Sequence, residues 1–329
     1  MIRYSIKRLL QSLVTIFLIV SVVFLLMRLM PTDYFFTEDE LMKFTEEMKN
    51  GRLEAAGLLD PPFVQLGRFW KNMIFHGDLG ISRRIQSGKQ VVDVIGSKFG
   101  ISMQIGLISL CLSLLIGVPC GILQARYKAG VFDTIGTGFT IFINAVPHLV
   151  SYSLIMIFGA RLLGLPSLYS TRLSWKFTLF GSQFKFNYSM ILPIVCLSLA
   201  STASYMMWMR RYMVDELNKE YIRLAKLKGL STTKVMFRHV MKNAFLPLAQ
   251  YLPYSILLTV GGSLLVERFY SVPGLGPLLT DSINRYDTNV VQAIVMLYAS
   301  LGIVGLFLGD LLMMLIDPRI KLIGKEGAR

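Results

Sequence analysis

Charged residues are scarce in this chain of 329 residues, in which Asp, Glu, Lys and Arg make up only 16% of the sequence. A soluble domain carries about a quarter charged residues, so the composition argues against a soluble protein. Histidine and cysteine are rarer still, with three of each. No two cysteines form a C-x-x-C pair, and no histidines stand at a metal-ligand spacing. The sequence therefore predicts no metal site.

Motifs for catalysis and nucleotide binding are also missing. The stretch Ser87–Gln90 looks like the end of a P-loop, but that motif needs glycine where Arg83 stands and serine or threonine where Gln90 stands. No Walker motif occurs in the chain, so any ATP has to act from another subunit. An intramembrane enzyme would need a Ser–Lys pair, paired aspartates or a His–Glu metal arrangement within apolar segments, and none is visible. We therefore predict a non-catalytic chain without a cofactor of its own.

Long runs without any charged residue are abundant instead. Each has at least about 18 residues, the length that crosses a hydrocarbon core of roughly 30 Å as a helix. Helices satisfy every backbone hydrogen bond in lipid, so the runs predict an all-α membrane protein with six transmembrane helices. The first run is longer than the core of a signal peptide and lacks a cleavage site, so we expect it to be retained. The six runs are Leu9–Met27, Phe99–Ala125, Thr134–Ala160, Phe186–Met209, Asn243–Val266 and Thr288–Gly309.

The net charge of +14 is concentrated at alternate ends of these runs. Basic groups stand before the first run and after the second, the fourth and the sixth, which places all four groups on one side of a membrane crossed six times. This positive-inside pattern predicts that both termini are cytoplasmic, and it accounts for the charge without nucleic acid as a partner. The groups are Arg3, Lys7 and Arg8; Arg126 and Lys128; Arg210 to Lys242; and Arg319, Lys321, Lys325 and Arg329.

The predicted organisation has four parts. Residues 1–30 form the cytoplasmic start and the first span, and residues 31–98 form an extracytoplasmic segment with small helices. Residues 99–317 form the transmembrane core, which includes a cytoplasmic loop at 210–245, and residues 318–329 form a cytoplasmic tail.

Two helices are predicted within the extracytoplasmic segment. Thr37 and Glu40 form a capping box, which predicts a helix that ends near Gly51. Pro61-Pro62 can start a second helix, with an apolar stripe at helical spacing. We expect this stripe to pack on the ends of the spans, and a docking surface for an external partner is the alternative. The stripe consists of Phe63, Leu66, Phe69, Trp70 and Ile74.

Polar residues within the apolar runs are the candidates for a translocation path. Asn144, Pro147 and His148 lie near the middle of the third run, and Ser201 and Tyr205 belong to a hydroxyl-rich patch in the fourth. Polar groups at this depth are costly, so they usually face the helix bundle or a water-filled path. A path-lining role and a structural hydrogen bond between helices both remain open.

The segment from Arg210 to Lys242 is the most polar long stretch of the second half. Glu216 to Lys228 has helical character, and Gly229 can end this helix because glycine tolerates a left-handed cap. Ser231 is well placed to cap a second helix. Two short helices around a glycine corner predict a compact projection. A solvated basic loop attracted to anionic lipid is the alternative.

Tyr221–Ser231 reads Tyr-Ile-Arg-Leu-Ala-Lys-Leu-Lys-Gly-Leu-Ser, with Pro247 downstream. This stretch resembles the "EAA loop" of binding-protein-dependent ABC importer permeases, in the variant of the dipeptide and oligopeptide permeases. The Glu-Ala-Ala of the general motif reads Arg223–Ala225 here, which leaves Glu220 as the stand-in for the motif's acid. Further stretches that match this subfamily are Arg8-Leu9-Leu10, Arg28-Leu29-Met30-Pro31, Gly77–Ser82, Val272–Gly276 and Asp317-Pro318-Arg319.

The resemblance implies the type I ABC importer permease fold, in the plasma (inner) membrane of a bacterial-type cell. It implies a subunit that forms half of a peptide translocation pathway together with a second, similar permease subunit. It further implies two cytoplasmic ATPase subunits, which bind ATP and Mg, and an extracytoplasmic substrate-binding protein. The residues implied to couple to the ATPases are Glu220, Tyr221, Arg223, Ala225, Lys226, Lys228, Gly229, Leu230 and Ser231.

Two other transport functions are alternatives. A permease of a nickel or metal-chelate ABC importer would share the loop and the topology. A secondary transporter that works alone would usually need titratable groups deep in its spans as a proton relay. Arg161, Glu267 and Asp310 lie near the edges of the runs, which argues against this function. The segment 176–188 has no predicted role.

Overall fold

The structure, a computed structural model, describes residues 2–29, 35–36, 38–179 and 182–316. This part of the chain is mostly helical, which confirms the predicted fold class. In the first half the helices are α1 Ile2–Met27, α2 Glu38–Lys43, α3 Glu46–Ala55, α4 Pro62–His76, α5 Val91–Arg126, α6 Val131–Ala145 and α7 His148–Leu163. In the second half they are α8 Ile191–Leu217, α9 Glu220–Leu227, α10 Thr232–Val235, α11 Met241–Ala244, α12 Leu246–Val260, α13 Leu264–Phe269, α14 Leu275–Asn284 and α15 Thr288–Ile316.

Five stretches are helical, long and apolar enough to cross a membrane, and a bent pair of helices adds a sixth if it counts as one span. The bent pair is the predicted third span, Thr134–Ala160, which is therefore not a straight helix: α6 and α7 meet at an angle of 107°. The break lies at Val146 and Pro147, because a residue before proline is forced into an extended conformation. The five stretches are Ser5–Met27, Val91–Arg126, Tyr188–Leu217, Leu246–Phe269 and Thr288–Ile316.

Between α1 and α5, the helices before Gly57 differ from those that the sequence predicts. The predicted single helix before Gly51 is wrong: two helices, α2 and α3, occupy this region, and Gly51 lies inside α3. Thr45 caps α3 by accepting a hydrogen bond from the Met48 amide at 3.4 Å, while Thr37 lies outside the described residues. The helix predicted after Pro61 is confirmed as α4. α5 begins at Val91, within the segment predicted as residues 31–98.

Glycines bring the long helices into close contact. A Cβ atom at Gly117 of α5 would lie 2.8 Å from the Thr202 carbonyl oxygen, and one at Gly121 would lie 2.6 Å from the Met206 carbonyl oxygen. Glycines four residues apart allow two helix backbones to approach in this way. α5 therefore packs directly on α8.

The ends of the spans form two faces, which we name by their residues. The basic face carries Arg8, Arg126 and the loop 210–245, and the segment face carries α2–α4 and the connection from α7 to α8. That connection contains two antiparallel strands, β1 Ser174–Leu179 and β2 Ser182–Asn187, to which most of the segment 176–188 belongs.

Each face has a polar contact that joins distant parts of the chain. On the basic face, Asp310 accepts hydrogen bonds from Arg8 Nε at 2.7 Å and from Gln250 Nε2 at 3.0 Å, which joins α15 to α1 and α12. On the segment face, the carboxylate of Asp287 joins the start of α15 to the residues that follow Ser82. The Asp287 contacts thereby hold the residues that follow α4 against the start of α15.

Candidate transport cavity and coupling loop

A cavity of about 520 Å³ lies between α5, α8 and α12, beside the break between α6 and α7. Hydroxyl groups and aromatic rings dominate its wall, and none of the described residues that line it is Asp, Glu, Lys or Arg. The hydroxyl-bearing residues are Ser109, Ser201, Ser204, Tyr205, Tyr251, Ser255, Thr259 and Ser263. Such a wall offers hydrogen bonds without fixed charge.

Four of the five predicted path residues line this cavity, namely Asn144, His148, Ser201 and Tyr205. Pro147 is not among the lining residues, but it forms the corner between α6 and α7. Asn144 Nδ2 donates to the Thr140 carbonyl at 2.8 Å. The break brings Asn144 and His148 to the cavity from two different helices. Their role in transport stays a prediction.

The fifth apolar run contributes cavity residues that the sequence analysis missed. Tyr251, Ser255 and Thr259 follow one another at a spacing of four, so they lie on one face of α12. The rings of Trp208 and Tyr251 meet edge-on with their centroids 5.2 Å apart. These three hydroxyl-bearing residues stand four positions apart, and this spacing was the sequence signal that could have identified the wall.

The turn after α12 closes one end of the cavity and is held by a buried carboxylate. Gly262 and Ser263 line the cavity between α12 and α13. Glu267 accepts hydrogen bonds from the amides of Ser263 at 3.2 Å and Gly276 at 2.9 Å, and only 1% of its surface is exposed. It lies near the end of a span, as predicted, but its full burial was not evident from the sequence.

The loop on the basic face has the predicted helix–corner–helix arrangement. α9 ends at Leu227, and Gly229 has a φ of 79°, in the left-handed region that glycine tolerates. Ser231 precedes α10 in an extended conformation, although its side chain makes no capping hydrogen bond. The second helix is interrupted, because a π turn at Met236–Val240 separates α10 from α11. Helix α9 begins at Glu220 rather than continuing from Glu216.

The inner side of α9 packs into a buried apolar cluster. Ile222 and Ala225 are buried there together with Met209 and Met213 of α8 and with residues of α10 to α12. Ala225 packs within this cluster and is 7% exposed, and its part in coupling stays a prediction. Tyr221 adds a polar link, since its hydroxyl bonds the Glu216 carboxylate and accepts from Asn243 Nδ2 at 2.8 Å.

The other predicted coupling residues lie on the outer side of α9 and on the corner that follows it. Leu224 is 59% exposed and Leu227 is 83% exposed, so an apolar ridge faces away from the helices. Leu230 is half-buried at the corner. The remaining predicted coupling residues are exposed: Glu220, Tyr221, Arg223, Lys226, Lys228, Gly229 and Ser231.

A buried ion pair supports the helix that leads into the loop, and the sequence did not reveal it. Arg210 of α8 donates from Nη2 to Asp133 Oδ2 at 2.8 Å, and its Nε bonds the other carboxylate oxygen. Asp133 also accepts from the Ala129 amide at 2.9 Å and is 3% exposed. Bidentate pairs of this kind fix geometry as well as charge. The pair therefore locks α6 to α8.

In the part of the chain that the structure describes, no group of three or more His, Cys, Asp or Glu residues comes together as a possible metal site. We therefore assign no residue to a metal. The candidate site consists of the uncharged cavity and, on the basic face, the exposed ridge of α9.

Comparisons with known proteins agree on one family. The family model described as "Binding-protein-dependent transport system inner membrane component" matches residues 117–322. The oligopeptide transport system permease protein AppB of Bacillus subtilis is 32% identical, with 98% of this chain and 100% of that protein covered. The dipeptide transport system permease protein DppB of Lactococcus lactis is 30% identical at the same coverage.

A solved structure shows the same fold. An inward facing conformation of the MetNI methionine ABC transporter matches with a TM-score of 0.54 and 14% identity, covering 68% of this chain and 96% of that chain. This chain belongs to the family of inner membrane components of binding-protein-dependent transport systems.

Proposed function

We propose that this chain is the permease subunit of an ATP-driven importer of di- or oligopeptides and forms half of its translocation pathway. The similarity to peptide permeases over nearly the whole chain carries the proposal. It favours peptides over a metal chelate, because the similar proteins are named as oligopeptide and dipeptide permeases.

The chemistry of the cavity fits a peptide. Peptide backbones present amide donors and carbonyl acceptors whatever their side chains, and hydroxyls such as those of Ser201 and Ser255 can pair with either. Without a fixed charge on the described wall, the cavity does not select a charged side chain. A permease with this wall can admit peptides of varied sequence.

The partners in this proposal are a second, similar permease subunit, two ATPase subunits that bind ATP and Mg, and a substrate-binding protein. The basic face lies in the cytoplasm, as its excess of Lys and Arg favours. The ATPases contact the exposed ridge of Leu224 and Leu227, and the binding protein approaches the segment face.

The packing of α9 on the membrane helices explains how movement of the ATPases can reach the cavity. The buried Ile222 side chain belongs to one apolar cluster with residues of α8, α10 and α12, so a displacement of the ridge is passed through this cluster to these helices. Closure of the ATPases would then displace α8 and α12, which form two walls of the cavity. Packed interfaces switch between discrete arrangements, and this gives an inward-facing and an outward-facing pore.

Gly229→Val tests the coupling role. A β-branched side chain in the left-handed corner costs about 1–2 kcal/mol locally. We expect the complex to assemble, as shown by co-purification with partners identified by mass, while peptide-stimulated ATP hydrolysis falls. Gly164→Val is the matched control, because Gly164 also has a positive φ and open space around it but ends α7. Normal stimulation in Gly229→Val would reject the role.

Tyr205→Ala and His148→Ala test the translocation path. Each removes a ring from the cavity wall, so we expect peptide uptake to slow several-fold. ATP hydrolysis without peptide should stay unchanged in His148→Ala, whose residue is exposed, and it is measured beside uptake in Tyr205→Ala because Tyr205 belongs to the buried cluster around Ile222. Phe142→Ala is the control, since Phe142 is 62% exposed on α6 and does not line the cavity. Uptake kinetics like those of the unmodified complex would remove both residues from the path.

A further inference from the structure

Helix α4 has two chemically different sides. Its polar residues Gln65, Arg68 and Asn72 line a second cavity, of about 220 Å³, beneath the ends of α1 and α15. On another side, Phe69 and Trp70 pack on α1, as the stripe predicted. The helix contains Arg68 and Lys71 but no acidic residue.

The stripe does not end at the contact with α1. Phe63 is 74% exposed and Ile74 is 64% exposed, and Phe75 beyond them is 76% exposed. Phe63 and Ile74 continue the apolar surface of Trp70 along the helix, while Phe75 lies on the neighbouring side, beyond Lys71. They need a covering that neither α1 nor any other described element provides.

The contacts with α1 set the depth of α4. Trp70 Nε1 donates to Ser21 Oγ at 3.0 Å, and the rings of Trp70 and Phe17 have their centroids 4.8 Å apart. At 1.5 Å per residue, Ser21 lies about 9 Å and Phe17 about 15 Å below Met27, where the helix ends.

The first span is slightly longer than the hydrocarbon core. Ser5–Met27 gives about 34 Å of helix, and the hydrocarbon core is about 30 Å thick. With the whole excess of about 4 Å placed at the Met27 end, Ser21 still lies about 5 Å inside the hydrocarbon. Trp70 consequently contacts α1 within the hydrocarbon rather than above it.

We propose that α4 lies in the membrane leaflet on the segment face, with Phe63 and Ile74 inserted among the acyl chains. Amphipathic helices of this type lie in the plane of the interface with the apolar side about 5–10 Å deep, which matches the depth of Ser21. The apolar surface of α4 is continuous with that of α1, where Leu13 and Leu18 are more than half exposed.

Lipid fits the exposed stripe better than water or a soluble protein. Trp70 is held at the level of Ser21, where lipid rather than water surrounds the protein, and Ile74 follows it by one helical turn. A soluble binding protein cannot reach below the headgroups. Lys71 lies on the exposed side of the helix, and its stem can extend along the apolar surface while its ammonium group reaches the headgroups. α4 would then fix the position of the second cavity relative to the membrane surface.

Spin labels in the assembled complex test this placement. Cys111, Cys120 and Cys196 are replaced by alanine, and one cysteine is introduced by Ile74→Cys or by Phe63→Cys. The labelled complex, assembled with its partner subunits, is placed in phosphatidylethanolamine–phosphatidylglycerol vesicles. Collision of each label with oxygen, which concentrates in lipid, is compared with collision with a water-soluble nickel chelate.

Two further positions calibrate the measurement. Leu18→Cys on α1 is the control for lipid, and Glu47→Cys on α3 is the control for water. We expect the ratio of oxygen to nickel collisions at positions 63 and 74 to match that at 18 and to exceed that at 47 several-fold. A ratio like that at 47 would place α4 in water, and low collision with both reagents would place a protein partner on the stripe. Either result overturns the proposal.

Discussion

Asp287→Ala is expected to lower the free energy of unfolding by about 3–5 kcal/mol, because one carboxylate oxygen holds a whole loop. Asp287 Oδ2 accepts from Ser82 Oγ at 2.6 Å and from the amides of Arg83, Arg84 and Ile85 at 3.0–3.1 Å. Ser82 is fully buried and residues 83–85 are half-buried, so water replaces the lost acceptor only in part.

The loss of Asp287 should also affect the neighbouring helices, because Ser82 to Ile85 lie in the connection from α4 to α5. Without the carboxylate, we expect the segment that contains α2 to α4 to detach first. The measurement is the melting temperature of the purified complex in detergent, together with the rate of proteolysis within residues 38–90. Proteolysis should rise in that segment before the complex dissociates.

Asp281→Ala is the matched control for this prediction. Asp281 makes one ion pair with Arg268 at 2.6 Å, and both side chains are about half exposed. Exposed ion pairs contribute about 0–1 kcal/mol, so this variant should melt almost normally. Equal melting temperatures for the two variants would mean that Asp287 does not secure the loop.

The second large effect concerns the Asp133–Arg210 pair and should depend on which partner is removed. Arg210→Met leaves a carboxylate whose side chain is only 5% exposed, without its cation. Breaking a fully buried pair costs about 3–5 kcal/mol, and we expect a loss below that range because Arg210 is 30% exposed and Asp133 keeps the hydrogen bond from the Ala129 amide. Asp133→Leu leaves a guanidinium that is 30% exposed and can reach water, so a smaller loss is expected.

The double variant Asp133→Leu/Arg210→Met separates charge from packing. Replacing both partners of a buried pair with apolar residues is often neutral or stabilising, so the double variant should recover most of the stability lost in Arg210→Met. Melting temperatures of the four proteins give the coupling energy as a double-mutant cycle. Additive losses would show that the two side chains act independently.

The amino-acid sequence determined the features that depend on local composition. Long charge-free runs identify membrane helices because lipid excludes unpaired backbone groups. The corner at Gly229 was predictable because a left-handed residue after a helix is a local property of glycine. The EAA-like stretch Tyr221–Ser231 is contiguous, so the family was also evident from the sequence, and the similar proteins confirm it.

The break in the third span shows where local reasoning ends. Pro147 marks the corner between α6 and α7, but Pro119 and Pro253 lie inside helices that continue past them. A proline removes one donor in each case, and the surrounding helices decide whether the chain bends or continues. The charge-free run Thr134–Ala160 therefore could not reveal a 107° bend.

Only the tertiary structure decided which polar groups meet. Asp287 binds Ser82 from 205 positions away, and Asp133 binds Arg210 from 77 positions away. Asp287 stands directly before α15, yet its carboxylate binds Ser82 and the amide of Arg83 in another segment. Residue type and spacing along one helix carry no record of a partner on another, because that contact exists only once the helices have packed.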